Sequence, residues 1–424
     1  MNIVIKNGHI IDPANNVDSQ QDLYINNGKI VAIGSAPPNF NSEKIIDASG
    51  LIVTPGLVDL SARLREPGNE YKATLKSELQ AAVAGGVTSL ACPPDTDPTL
   101  DESGLVEVLK HRSKKLNLAH VYPIGALTKQ LQGAALTEMY ELTEAGCVGF
   151  SQANQSIVDT QILWRAFEYA ATFGYTLFLR AEDPFLAKGG AAHDGETASR
   201  LGLKGIPAAA ESLALATILR IARETRTKIH ICRLSTAEGV DLVRTAKKEG
   251  LAVTADVSIQ HLHLTDLDIG YFNTNTHLTP PLRSQRDKEA LCNGIIDGTI
   301  DAICSDHSPV DDDAKLLPFA ESDLGASGLE LLLPLTLKWA LDHKQGIAKA
   351  IACISHNAAK IMNIPAGSLA VGEAADIAIF DANNYWKVQA ENLKSQGKNT
   401  PFMHMEVPGV IRYTLLDGQI AFQN

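Results

Sequence analysis

Apolar and polar residues alternate at both ends of the chain and lose that alternation in the middle. In "NIVIKNGHIID", "DLYINNGKIVAIG" and "EKIIDASGLIVT", within residues 1–54, and again in "GSLAVGEAADIAIFD" and "PGVIRYTLLDGQIAF", within residues 367–424, apolar side chains recur with a period of two. That period puts one face of a strand in a core, and the Asn-Gly, Asp-Gly and Gly-Glu pairs between the runs are turn formers. The two ends are therefore expected to join in one small β domain made of residues 1–54 and 367–424.

Residues 55–366 instead repeat a short apolar run, a turn and a helical stretch, the pattern of a parallel sheet with crossover helices. The strand candidates are "LVDLSARL" (57–64), "TSLACPP" (88–94), "HVYPIGAL" (120–127), "GCVGFSQ" (146–152), "YTLFLRAE" (175–182), "KIHICRLS" (228–235), "LAVTADVS" (251–258) and "IDAICSDH" (300–307). Helix ends are legible as well: "VDTQILWRAFEYAATFG" stops at Gly174, and Ser235 with Glu238 form a capping box for a helix stopping at Gly250. Eight such units in roughly 250 residues predict an α/β fold of the (β/α)8 TIM-barrel type. An open doubly wound sheet is the alternative, because a count of units does not prove closure.

Composition narrows the function classes. The chain has 424 residues, 45% of them hydrophobic and 20% charged, which is globular and leaves no room for a disordered reading. A net charge of −12 without a basic run argues against a nucleic-acid or anionic-membrane partner. The 6 cysteines are widely spaced with no CxxC, as expected of reduced core thiols. The start carries no basic segment followed by an apolar block, and no run approaches the length of a membrane span, so a cytoplasmic location is expected.

Chemistry in such a barrel belongs at the C-terminal ends of its strands. Those ends carry Ser61 and Arg63, Asp95, Gln152, Arg180 with Glu182, Arg233, and Asp306 with His307. Arginine is protonated near neutral pH and has no lone pair for a metal. Two readings of this set stay open: a buried ion-pair network, which the residue types favour, and an anion-binding pocket. "QHLHLTD" offers His261 and His263 in an HxH spacing, but it falls past the seventh strand in a polar turn with no carboxylate fixed nearby, which argues against a metal. The remaining histidines, His120 and His230 among them, are scattered and individually uninformative. There is no GxSxG, no GxxxxGK[ST] and no GxGxxG, so neither a nucleophile elbow nor a phosphate loop is expected.

"PGLVDLSARLREPG" (55–68) resembles the dihydroorotase signature PG(F/L)VDxHxHLREPG, of the amidohydrolase superfamily. Further matches are "GETASRLGLKGIPAAAES" (195–212), "LTPPLRSQRDKEAL" (278–291), "DGTIDAICSDHSP" (297–309), "GASGLE" (325–330) and "GKNTPF" (397–402), so the likeness spans nearly the whole chain. The resemblance implies a TIM barrel with a small β-sandwich domain built from both termini. It also implies six zinc-ligand positions, which here are Ser61, Arg63, Gln152, Arg180, Arg233 and Asp306, only the last keeping the family's residue type. The substrate pocket would be a remnant comprising Arg65, Asp95, Thr279, His307 and Val310, with Arg65 at the family's carboxylate-binding position. Residues 308–325, with Asp311, Asp312 and Asp313, resemble a family lid.

Bound metal lowers the pKa of water from about 15.7 to about 7, so its loss removes on the order of 11 to 12 kcal/mol of nucleophile activation. A lone carboxylate base contributes only about 10² to 10⁴-fold. Dihydroorotase activity, and a zinc cofactor, are therefore not expected. More narrowly, the chain resembles the noncatalytic dihydroorotase-like subunits found with aspartate transcarbamoylase in some bacteria. That resemblance implies an aspartate transcarbamoylase catalytic subunit as partner in a hetero-oligomer, with a homodimer as the state of the chain alone. The alternative is an active zinc-dependent dihydroorotase or related cyclic amidase whose site is rebuilt from Asp306, His307, His261 and His263. A third reading is a small-anion sensor using Arg63, Arg65, Arg180 and Arg233.

Overall fold

The computed structural model describes residues 2–424. Eight parallel strands follow one another round an axis: Leu57–Asp59, Val87–Cys92, His120–Pro123 continued by Gly125–Ala126, Phe150–Ser151, Thr176–Leu179, Lys228–Ile231, Val253–Ser258 and Ala302–Cys304. Each is paired in parallel with the next. The last then returns to the first. Ala62 and His307 form a parallel bridge, in which His307 N donates to Ser61 O at 3.0 Å and Arg63 N to His307 O at 2.9 Å. The sheet is closed, so the open doubly wound alternative falls away. Val58, Leu60, Ala91, Ile124, Phe178, Ala302 and Cys304 fill the interior, and Ala358, Ala359, Ile361 and Met362 of the helix His356–Met362 pack onto the same cluster. A filled barrel is a core and not a pore.

The outer helices bury one stripe each. Thr160–Phe173 buries Leu163, Ala166, Phe167 and Ala170, three and four residues apart. Asp159 caps its first turn, and Gly174 ends it at φ +73°, a left-handed conformation that glycine adopts without steric cost. The helix after the sixth strand, Ala237–Lys248, starts one residue later than its sequence indicates. Its cap is Thr236, whose Oγ1 accepts from Gly239 N at 3.0 Å. The Ser235 hydroxyl is turned elsewhere, donating to Glu211 at 2.6 Å and accepting from Arg283 Nε at 3.2 Å.

Strands from both termini form one eight-stranded sheet. Its order is Gln419–Gln423, Glu406–Leu416, Ile377–Lys387, Ile52–Pro55, Asn2–Asp12, Val17–Asn26 and Lys29–Ile33, with Lys44–Asp47 also paired to Asn2–Asp12. The antiparallel pairing of Ile377–Phe380 with Ile52–Pro55 joins the two ends of the chain. The sheet curls around its own core, which includes Ile3, Ile5, Leu23, Ile25, Ile377, Ile379 and Leu415. The curl brings two distant hairpin turns together: a Cβ on Gly418 would stand 2.7 Å from Gly28 Cα. Among the described residues no helix is long and apolar enough to cross a membrane.

Candidate functional site

The strand ends converge on Asp306. This residue follows the eighth strand and adopts φ +45°, while Arg233 after the sixth adopts φ +55° and Arg65 after the first φ +63°. Left-handed backbone at non-glycine residues costs on the order of 1–3 kcal/mol and persists where the surroundings enforce it. For Arg233 the enforcing contact is Asp256, whose Oδ1 accepts the Arg233 amide at 2.6 Å while its Oδ2 meets His230 Nε2 at 2.8 Å.

Asp306 Oδ1 receives Arg233 Nη1 at 2.9 Å and Arg63 Nη1 at 3.4 Å. Arg63 turns its Nε to Asp95 Oδ2 at 2.8 Å and a second contact to Ser308 Oγ at 3.2 Å. Arg233 also donates to Thr279 O at 3.2 Å and, through Nη2, to Asn154 Oδ1 at 2.7 Å. Asn154 O in turn accepts from Arg180 Nη2 at 3.1 Å, and Arg180 grips both carboxylate oxygens of Glu182, at 2.7 and 2.6 Å. One chain of charged hydrogen bonds thus links the ends of strands one, eight, six and five. Its guanidinium groups are shielded, with the Arg63, Arg180 and Arg233 side chains 6%, 5% and 5% exposed.

The electrostatics follow from this geometry. Burial opposes the charged form of Asp95, but Arg63, with Arg65 and Arg233 behind it, holds its carboxyl below the usual range. Burial likewise works against Arg233, and Asp306 outweighs it, raising the arginine further. Arg65 shows the opposite balance: burial and the neighbouring Arg63 lower it, and among the described residues it forms no ion pair with an acid. Its Nε donates to Pro309 O at 2.8 Å, at the base of the lid-like stretch. That stretch is tied down by Lys72 to Asp323 at 2.5 Å and by Lys315 Nζ to Thr274 O at 3.0 Å.

Gln152 does not join the cluster. Its amide bonds to Thr128 Oγ1 and to Leu131 O, each at 2.8 Å. His307, expected beside the remnant pocket, belongs to a separate buried layer, because its Nδ1 accepts from Gly328 N at 3.0 Å and its Nε2 meets Glu78 Oε2 at 2.6 Å. An accepting Nδ1 leaves the proton on Nε2, which donates to Glu78. Val310 is buried, its amide held by Asn399 Oδ1 at 3.0 Å. His261 and His263 lie in a short buried helix, Ile259–His263, and not in the polar turn expected of them. Their rings bond to Ser258 Oγ and Pro281 O, and to Leu335 O, and burial pushes both down to about 4. Sequence reasoning missed Asn154, Glu78, Asp59 and Asp256. Only Asp59 had a signal, as part of the "VD" in the first strand: its carboxylate accepts Ser305 N at 2.9 Å and so pins strand one to strand eight.

The donor set does not suit zinc. A zinc site draws its protein ligands from imidazole, thiolate or carboxylate groups, and Ser61, Arg63, Gln152, Arg180 and Arg233 supply none. The remaining carboxylate, Asp306, is already shared by two guanidinium groups. At about 4 Å and an effective dielectric of about 20, each would repel a divalent ion by about 8 kcal/mol.

A closed parallel barrel joined to a sheet from both termini, with its polar cluster at the strand ends, defines the amidohydrolase class of fold. Residues 190–421 match the Amidohydrolase family, and residues 50–239 the Dihydro-orotase-like family. The chain is 44% identical over 423 residues to a "Dihydroorotase-like protein" of Pseudomonas aeruginosa, covering 100% of both. It is 40% identical over 424 residues to a "Dihydroorotase" of Syntrophus aciditrophicus, again over 100% of both. The chain belongs to the dihydroorotase-like family of the amidohydrolase superfamily. Its fold is also that of the L-hydantoinase (dihydropyrimidinase) from Arthrobacter aurescens, with a TM-score of 0.88 at 23% identity over 99% of this chain and 95% of that one.

Proposed function

We propose that this chain is a noncatalytic dihydroorotase-like subunit of pyrimidine biosynthesis that assembles with aspartate transcarbamoylase and supports its activity. The observation that carries the reading is the pairing of Arg63 and Arg233 on Asp306, with no metal-ligating group at the other five positions. In this reading the guanidinium groups take over the neutralising and strand-linking work that zinc does in active relatives. The mouth then holds no activated water. What remains for the barrel is its surface, and a partner subunit is the use that its family resemblance indicates.

The test has two arms. The tagged chain, expressed in its own cell, should co-purify with aspartate transcarbamoylase, and transcarbamoylase activity should fall when the chain is withheld. Free monomer with unchanged transcarbamoylase activity would overturn the assignment. The second arm is dihydroorotate hydrolysis by zinc-supplemented protein. Turnover there would restore the alternative favoured by relatives that bear the name dihydroorotase. A second reading, a small-anion sensor, is favoured by Arg65, which forms no ion pair with an acid among the described residues. Calorimetric titration with dihydroorotate and carbamoyl aspartate tests it, and null binding at millimolar concentration would remove it.

A further inference from the structure

At the opposite end of the barrel, three residues from separate segments bring ligand atoms to one point. His120 opens the third strand. Asp376 immediately precedes Ile377–Lys387, the sheet strand that joins the two ends of the chain. Asp417 sits in the turn between Glu406–Leu416 and Gln419–Gln423. His120 Nε2 lies 3.2 Å from Asp376 Oδ2 and 3.8 Å from Asp417 Oδ2, and one donor atom from each residue lies within 4.8 Å of the others.

The arrangement is built and not incidental. Asp376 Oδ1 accepts the Asp417 amide at 2.8 Å, which leaves Oδ2 to face the imidazole. The neighbouring backbone is tied as well, with Gly418 N on Ala375 O at 3.0 Å and Gly56 N on Asp376 O at 2.8 Å. No lysine or arginine forms an ion pair with either carboxylate among the described residues. Two acids thus face one imidazole without a fixed cation. The His120 side chain is 34% exposed and that of Asp417 53%, so the point is open to solvent on one side.

At these separations a protonated His120 would pair with the two acids, and the same spacing suits a metal ion. Ligands about 2.0–2.1 Å from a tetrahedral ion stand about 3.4 Å apart, and the two measured separations bracket that value. We propose that His120, Asp376 and Asp417 bind one divalent first-row transition-metal ion, such as zinc, clasping the barrel to the sheet domain. One imidazole and two carboxylates suit such an ion, and the solvent side leaves room for water as a further ligand. The site is independent of the Asp306 cluster and of any reading of it. The other His/Cys/Asp group, His230, Cys232 and Asp256, is less suited, because both His230 nitrogens and both Asp256 oxygens already have partners inside the barrel.

The test uses the full chain, stripped with chelator and titrated with zinc alone and with cobalt(II) alone. One equivalent should bind with a dissociation constant in the micromolar range. His120→Asn and Asp417→Asn should each weaken it at least tenfold, whereas His9→Gln, at a surface His/Asp pair elsewhere, should not. Asp417 stands at φ +47°, where asparagine is well tolerated, so Asp417→Asn removes a ligand and keeps the fold. Saturating zinc should raise the unfolding temperature of the parent and not of either variant. No saturable binding below millimolar metal, or binding that both variants retain, would overturn the site.

Discussion

Arg233→Met is the sharpest perturbation of the polar cluster, since it removes the closer of the two guanidinium groups on Asp306 and keeps most of the side-chain volume. The loss comprises the ion pair at 2.9 Å and the hydrogen bonds to Thr279 O at 3.2 Å and Asn154 Oδ1 at 2.7 Å. Asp306 then keeps only Arg63, at 3.4 Å. A charge pair about 4 Å apart at an effective dielectric of about 20 is worth about 4 kcal/mol, and breaking a buried pair from one side costs about 3–5 kcal/mol. We therefore expect Arg233→Met to lose about 3–5 kcal/mol in urea unfolding. Asp306→Asn added to it should give back part of that loss, because it removes the stranded charge. The double-mutant cycle should yield a coupling of about 2–4 kcal/mol between the two positions. A single-variant cost below about 1 kcal/mol, or a coupling below about 0.5 kcal/mol, would refute the claim that arginine holds this barrel mouth together.

Acid should destabilise the protein early. His261 and His263 are held neutral at about 4 by burial, against about 6.5 when unfolded, so the stability they confer is present above pH 6.5 and lost as pH falls toward 4. His263→Gln should flatten that slope between pH 6.5 and 5 in urea unfolding, and an unchanged slope would count against a buried neutral ring. Glu330 has the opposite sign: burial raises it to about 7, so its favourable contribution is complete below the unfolded value of 4.5 and is lost as pH rises through 7. Glu330→Gln should accordingly gain on the parent as pH goes from 5 to 8, by up to about 3 kcal/mol, whereas a gain that shrinks with pH would reverse the argument. Cys92, Cys147 and Cys353 are pushed up to about 12 by burial, so a thiol reagent at pH 8 should label them only after denaturation.

The strand segments were legible because a buried parallel strand is a short apolar run between turn residues, a property of consecutive positions. The register of strand and helix also located the mouth, since Arg63, Arg180, Arg233 and Asp306 each follow such a run. Pairing among them was not legible. Arg63 and Asp306 are 243 positions apart, and only closure of the barrel brings them within 3.4 Å. The capping of Ala237–Lys248 was misread by one residue for a similar reason, because Arg283 and Glu211, both distant in sequence, orient the Ser235 hydroxyl between them.

Sequence alone determined the eight strand-and-helix units, the family the chain resembles, and the residue types at six positions where that resemblance implies zinc ligands. The tertiary structure decided how those residues are used. It made Arg63 and Arg233 the partners of Asp306, turned Gln152 toward Thr128 and Leu131, and buried His307 against Glu78. It also assembled His120, Asp376 and Asp417, each unremarkable where it stands in the chain. Periodicity is written between neighbours, whereas a charge finds its partner through space, and that distance is set only when the sheet has closed.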